Sequence, residues 1–211
     1  MRVGFLTPTF PPICFGIGIY SKNLVEALAD KGVEIELVTG LVGDYKYPNV
    51  RVHNTNSFGT RNLALMWLMY FMTNTFFTFR LRKKVSLIHD NGVLGLSPTP
   101  PDVITVHYLV YSTIKNLRRY PSKMRYISTK EKLSYKLSLL MEKRLIKRPK
   151  ALISLSPSLT RDIIEHYGIQ KEKVFTIPNG INLSDFKPSK DKENFCFFQE
   201  GLQKRRAYSL F

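Results

Sequence analysis

The chain has 211 residues, 44% of them hydrophobic, enough to bury a full core in about one domain and too many for a disordered segment. Lysine and arginine outnumber aspartate and glutamate 32 to 16, a formal charge of +16 that points to anionic partners such as nucleic acid, anionic lipid or phosphorylated substrates. Cys14 and Cys196 lie far apart without a second ligand at metal spacing, which argues against a disulfide framework or a zinc site and for a reducing cytoplasm.

The N-terminus, one arginine followed by strand-like residues and prolines, is a poor secretory signal, and no cleaved leader is expected. Arg2 to Leu6 reads as a short buried parallel strand that enters the proline-rich loop TPTFPP. Gly16-Ile17-Gly18 reads as a loop whose backbone can approach a ligand, next to a helix start that offers free N–H groups to a phosphate. From Gly18 the period turns helical through Tyr20, Leu24, Ala27 and Leu28, with Gly32 as the C-terminal stop. Val33 to Val38 alternates like a second strand, and Val50 to His53 is a candidate third. That second strand ends in Val38-Thr39-Gly40 without the acidic residue that a dinucleotide-binding fold places on a ribose hydroxyl, which argues against a nicotinamide-dependent oxidoreductase.

Leu63 to Phe79 is the most apolar segment and runs directly into Arg80, Arg82, Lys83 and Lys84. It is shorter than the roughly 20 apolar residues of a membrane span and contains Asn74 and three threonines. A buried or partly exposed helix and a membrane-interface helix both fit it. Val85 to His89 and Asp102 to His107 are further short apolar runs. Tyr111 to Arg148 is helix-compatible and densely basic. Ala151 to Leu155 reads as a strand, Ser156-Pro157 as a helix start, Leu159 to Tyr167 as an amphipathic helix closed by Gly168, and Val174 to Ile177 as a last strand. Strands alternating with helices predict an α/β fold, a doubly wound Rossmann-like parallel sheet with helices on both faces.

Two places carry chemistry. His107 closes the VITVH run, and a histidine at the carboxyl end of a parallel strand faces the ligand crevice. His89 has the same placement, while His53 and His166 read as surface residues. In VFTIPNGINLSDFKP, a strand enters a Pro-Asn-Gly turn that presents Asn179 and Gly180 at the carboxyl edge of the sheet.

Three stretches, in order, resemble the N-terminal half of the GT-B retaining glycosyltransferases called group 1 or family 4. They are FPPICFGIGIYSKNLVEALADKGVEIELVTG, ITVH, and MEKRLIKRPKALISLSPSLTRDIIEHYGI followed by KVFTIPNGINLSDFKP. The resemblance implies an acceptor-side Rossmann-like domain over residues 1–186. It implies transfer of a sugar, with retention, from a nucleotide-sugar donor to a glycan or lipid-linked acceptor, without a metal or other cofactor. By the same resemblance Gly16 matches the second glycine of a pair beside the donor diphosphate, with Phe15 in place of the first, and Gly18 lies in the same donor-side segment. His107 matches a histidine near the transferred sugar. Asn179 and Gly180 match an Asn-Gly turn facing the interdomain cleft, Ser154 and Ser156 a Ser-x-Ser strand end, and Asn182 a frequent aspartate. The implied location is cytoplasmic, with peripheral contact to the anionic inner face of the cell membrane.

Residues 187–193 read as a linker. Residues 194–211 read as the start of the donor-side domain, NFCFF resembling its first strand and QEGLQKRRAYSLF standing where Gly-Arg-Leu and Lys-Gly are expected. Triplets read from the third base of Phe198 permit Ser-Gly-Arg-Leu-Ala-Lys-Lys-Lys-Gly-Ile, so a frameshift is the expectation here, and this chain is expected to be inactive alone. The competing class is a basic module that binds nucleic acid or an anionic membrane. Nucleic acid is disfavoured by the lack of a helix-turn-helix pattern, zinc spacing or an aromatic platform among the basic residues.

Overall fold

The computed structural model describes residues 1–11, 16–57, 63–91, 100–119 and 128–180. These belong to one unit, Met1–Ile181; a second unit, Asn182–Phe211, lies outside the described residues together with Phe15, Asn182 and the linker and remnant expected at 187–211. The order of elements is β1 (Arg2–Thr7), α1 (Gly16–Asp30), β2 (Glu34–Thr39), β3 (Val50–Asn54), α2 (Leu63–Leu81), β4 (Leu87–Asp90) and β5 (Val103–Val106). Then follow α3 (Val110–Arg119), α4 (Thr129–Leu145), β6 (Ala151–Ser154), α5 (Pro157–Tyr167), a 3-10 turn at Lys171–Lys173, and β7 (Val174–Thr176).

The seven strands form one parallel sheet in the order β3-β2-β1-β4-β5-β6-β7, reversing direction of travel between β1 and β4. Strands buried on both faces read as continuous apolar runs, and β1 and β2 are buried at every position after the first. Phe5, Ile35 and Leu37 meet Val25 of α1 on one face. Leu6, Val38 and Ile88 meet Leu81 of α2 on the other. Ile104, Val106 and Leu152 meet Leu159, Ile163 and Tyr167 of α5. Because Leu6 is in register with Asp90, and Asp90 with Ile104, α2 and α5 share a face and α1 takes the opposite one. Each of the largest buried side chains contributes about 1.5–3 kcal/mol of burial.

The helix stops act as their residue types require. Gly32 and Gly168 take positive φ, 78° and 64°, and the Gly168 N–H donates to the Ile164 carbonyl at 3.0 Å. Ser156 caps α5 by accepting from the Leu159 N–H at 3.3 Å, with Pro157 in the first helical position.

The helix-compatible basic stretch Tyr111 to Arg148 holds α3 and α4, with 120–127 outside the described residues. Two expectations change. Gly16-Ile17-Gly18 is the first turn of α1, not a loop; Gly18 packs on Thr9, and the Ser21 hydroxyl bonds the Ile17 carbonyl within the helix. His53 is half-buried, its Nε2 2.6 Å from Glu36 Oε2, because β3 pairs with β2 with His53 opposite Val38, two residues along the same face from Glu36. Among the described residues no helix is long and apolar enough to cross a membrane.

Candidate functional site

In an open parallel sheet the ligand crevice lies outside the carboxyl ends of the strands, where strand order reverses. Here that is the gap between β1 and β4, and four polar side chains meet around it. Thr7 ends β1, Ser21 lies in the second turn of α1, Asn91 follows β4 and His107 follows β5. Asn91 Nδ2 donates to Ser21 Oγ at 2.6 Å, Ser21 Oγ donates to the Ile17 carbonyl at 2.8 Å, and the Thr7 and Ser21 hydroxyls lie 2.8 Å apart. Since the Ser21 hydrogen is committed to Ile17, Asn91 turns its nitrogen to Ser21 and its oxygen to the histidine. That oxygen accepts from His107 Nε2 at 2.8 Å. The proton is thereby held on Nε2, and the Nδ1 lone pair has no partner among the described residues.

Thr7, Ser21 and Asn91 are fully buried and His107 partly so. Burial pushes the His107 pKa down to about 4, so the ring is neutral at pH 7. Tyr20 packs edge-on against it with centroids 5.1 Å apart. His89 lies deeper, 6% exposed, with Nε2 2.8 Å from Thr105 Oγ1 and its ring edge-on to Phe5. Burial first, and repulsion from His107 second, push its pKa down to about 4. Its register with Phe5 turns it toward α1 and the core, so of the two strand-end histidines only His107 borders the crevice.

Beyond His107 an open cavity of about 440 Å³ runs along α3 and the start of α5, lined by His107, Ser112, Lys115, Arg119, Ser156 and Arg161 among others. Asp162 holds one wall, accepting from Ser112 Oγ at 2.6 Å and Lys115 Nζ at 2.7 Å. Arg119 and Arg161 have no ion pair among the described residues and make this end of the sheet cationic. The start of α3 is closed from behind by buried Glu142 of α4, which accepts from the Val110 N–H at 2.5 Å, the Tyr111 N–H at 3.1 Å and the Tyr167 hydroxyl. Burial raises the Glu142 pKa while these donors pull it back.

The residues expected from sequence separate into three groups. His107 is in the crevice and Gly16 is at its rim, exposed, with nothing among the described residues within 4 Å of where a Cβ would stand. Gly18 is buried, and a Cβ there would stand 3.4 Å from Thr9 Oγ1, an ordinary van der Waals contact, so the position packs against Thr9 and does not face a ligand. Ser154 Oγ donates to the Ser156 carbonyl at 3.0 Å, and Ser156 Oγ caps α5; both hydroxyls already serve local structure. Asn179 and Gly180 are exposed past the end of β7, two strands from β5, and no contact joins them to His107 among the described residues. Sequence reading passed over Thr7, Ser21 and Asn91. The one available signal was Asn91 itself, a polar residue directly after the buried run LIHD.

The family model described as Glycosyltransferase Family 4 matches residues 16–185. The D-inositol 3-phosphate glycosyltransferase of Pseudarthrobacter chlorophenolicus is 25% identical over 194 residues, covering 82% of this chain and 44% of the relative. The protein of the same name from Arthrobacter sp. is 27% identical over the same length and coverage. The chain thus spans less than half the length of these curated relatives. Among solved structures, WaaG, a glycosyltransferase involved in lipopolysaccharide biosynthesis, aligns with a TM-score of 0.61 at 14% identity over 85% of this chain and 45% of that one. HepE from Anabaena, solved in complex with UDP, aligns with a TM-score of 0.53 at 17% identity over 90% and 47%. These two likenesses are of fold: an α/β parallel sheet of the GT-B kind.

Proposed function

From the premise that the chain belongs to glycosyltransferase family 4, we propose that it is the acceptor-side half of a transferase that moves a sugar, with retention, from a nucleotide-sugar donor to a glycan or lipid-linked acceptor. The observation that carries the reading is the chain His107, Asn91, Ser21 and Thr7 across the reversal point of the sheet. It holds a neutral imidazole in one tautomer at the mouth of the crevice, a preorganised hydrogen-bonding group of the kind that stabilises charge developing in a transition state. Gly16 leaves the start of α1 open to a diphosphate, with the helix dipole as support. Arg119 and Arg161 supply positive charge next to the acceptor. In this reading no metal takes part, the nucleotide sugar is a substrate, and the protein works in the cytoplasm at the inner face of an anionic membrane. Relatives of about twice this length motivate a second part of the proposal, that these residues alone do not turn over.

The test compares the 211-residue chain with residues 1–187 joined to the donor-side half of a family 4 relative, each given nucleotide sugars and lipid-linked acceptors. The chain alone is expected to be silent. The joined protein is expected to give product of retained anomeric configuration, with kcat lowered about 10²-fold by His107→Ala. Turnover by the chain alone refutes the need for a second half. An inverted product refutes retention.

A further inference from the structure

Helix α2 carries polar groups inward and apolar ones outward. Its buried stripe, Tyr70, Asn74, Thr78 and Leu81, includes an amide and two hydroxyls, while its outer stripe, Leu68, Phe71, Met72, Phe76 and Phe79, is wholly apolar and 39% to 67% exposed. The outer set follows i, i+3, i+4, i+8 and i+11, one side of a helix, and exposed Arg80, Lys83 and Lys84 continue it at the C-terminal end. Helix α4 has the same kind of outer surface. Leu133, Leu137, Leu140 and Met141 are 48% to 62% exposed at i, i+4, i+7 and i+8, opposite buried Glu142. Lys132, Lys136, Lys143 and Arg144 are exposed beside them.

The C-terminal ends of both helices lead into the same face of the sheet. Leu81 of α2 packs on Leu6, Val38 and Ile88, and Ile146, directly after α4, packs with Ile104, Val106 and Leu152. Leu6 and Ile104 are linked in register through Asp90 and project to one side. The outer stripe of α2 turns away from the sheet, and that of α4 turns away from buried Glu142 and the start of α3. Nine large apolar side chains on these two helices exceed the scattered exposure of an ordinary soluble surface.

We infer that this outer layer, α2 with α4, is a docking surface for an anionic lipid bilayer. The rings of α2 and the leucines of α4 enter the headgroup boundary, and the flanking cations rest on lipid phosphates. Charge selects this occupant. A second copy of the chain would bring the same arginines and lysines against themselves, whereas an anionic bilayer complements every one. The inference draws its purpose from the proposed lipid-linked acceptor, but its physics does not depend on turnover.

The experiment is flotation of the 211-residue chain with vesicles of phosphatidylcholine, with and without phosphatidylglycerol. The chain is expected to float with the anionic vesicles and to be released by salt. Each cation at the surface contributes about 1 kcal/mol, about fivefold in partitioning, so Arg80→Gln, Lys83→Gln and Lys84→Gln together lower binding about 100-fold. Phe71→Ala, Phe76→Ala and Phe79→Ala together lower it at least about tenfold while leaving the thermal melt unchanged, since the rings are exposed. Leu133→Ser, Leu137→Ser and Leu140→Ser together also weaken it. No flotation with anionic vesicles overturns the inference, as does flotation unaffected by the phenylalanine variant, or a dimer in solution that the phenylalanine variant dissolves. A chain that floats while its joined form transfers no sugar would sink the transferase reading alone. An active joined protein that never floats would sink this inference alone.

Discussion

Lowering the pH from 7 to 5 probes the most deeply buried histidine. His89 is 6% exposed, and burial together with the nearby His107 pushes its pKa from the ordinary 6.5 down to about 4. The unfolded chain takes up this proton near pH 6.5, while the folded chain resists it until about pH 4. Between those values the unfolded state binds more protons, so stability rises with pH across the window. The contribution is fully present above about pH 6.5 and gone below about pH 4. A separation of roughly 2.5 units corresponds to about 3 kcal/mol over the whole window, and about 2 kcal/mol of it is lost between pH 7 and pH 5. His107, also pushed down to about 4 but partly exposed, adds a smaller loss of the same sign. Glu142, raised by burial, acts in the opposite sense above the ordinary carboxylate range. The lowered carboxylates Asp102 and Asp162 lose their contribution only at lower pH. Urea denaturation of the chain and of His89→Gln, which keeps a polar group near Thr105, isolates the term. The parent is expected to lose about 2 kcal/mol more than the variant between pH 7 and pH 5. Parallel losses, or an NMR titration placing His89 near 6.5, would refute the burial argument.

Three further outcomes follow from the geometry. Glu142→Ala strands two N–H donors and the Tyr167 hydroxyl at the start of α3, and should cost about 3–4 kcal/mol, seen as a fall of about 10 °C in Tm. Asn91→Ala frees the His107 ring, so nitrogen NMR should change from a single Nε2–H tautomer to a mixture, with about 2 kcal/mol lost in denaturation; an unchanged tautomer would show that Asn91 does not hold the ring. Gly16→Ala meets nothing within 4 Å among the described residues, and Gly18→Ala only ordinary contact with Thr9. Both should leave Tm equal or higher, by up to about 1 kcal/mol of helix propensity; Gly16→Ala should then weaken only donor affinity in the joined protein, measured as KM.

The order of strands and helices was legible in the sequence because its signals are local. A run such as VGFL marks a strand covered on both faces, Ser156-Pro157 opens a helix, and Gly32 and Gly168 end helices by taking a backbone conformation other residues avoid. The placement of His107 was legible for the same reason, since a parallel strand delivers its last residue to the carboxyl edge. The partners of His107 were not. Thr7, Ser21 and Asn91 are hydroxyls and an amide of ordinary type, separated by up to 84 residues in the chain, and they meet only because β4 lies beside β1 and β5 beside β4. The orientation of α2 was equally hidden, because Asn74 and Thr78, the polar marks on an otherwise apolar helix, would by amphipathic pattern face solvent. In the fold Tyr70, Asn74 and Thr78 are buried, and Phe71, Phe76 and Phe79 are left outside. Local chemistry specifies which elements form, whereas the neighbours of each side chain depend on strand order, a property of the whole sheet.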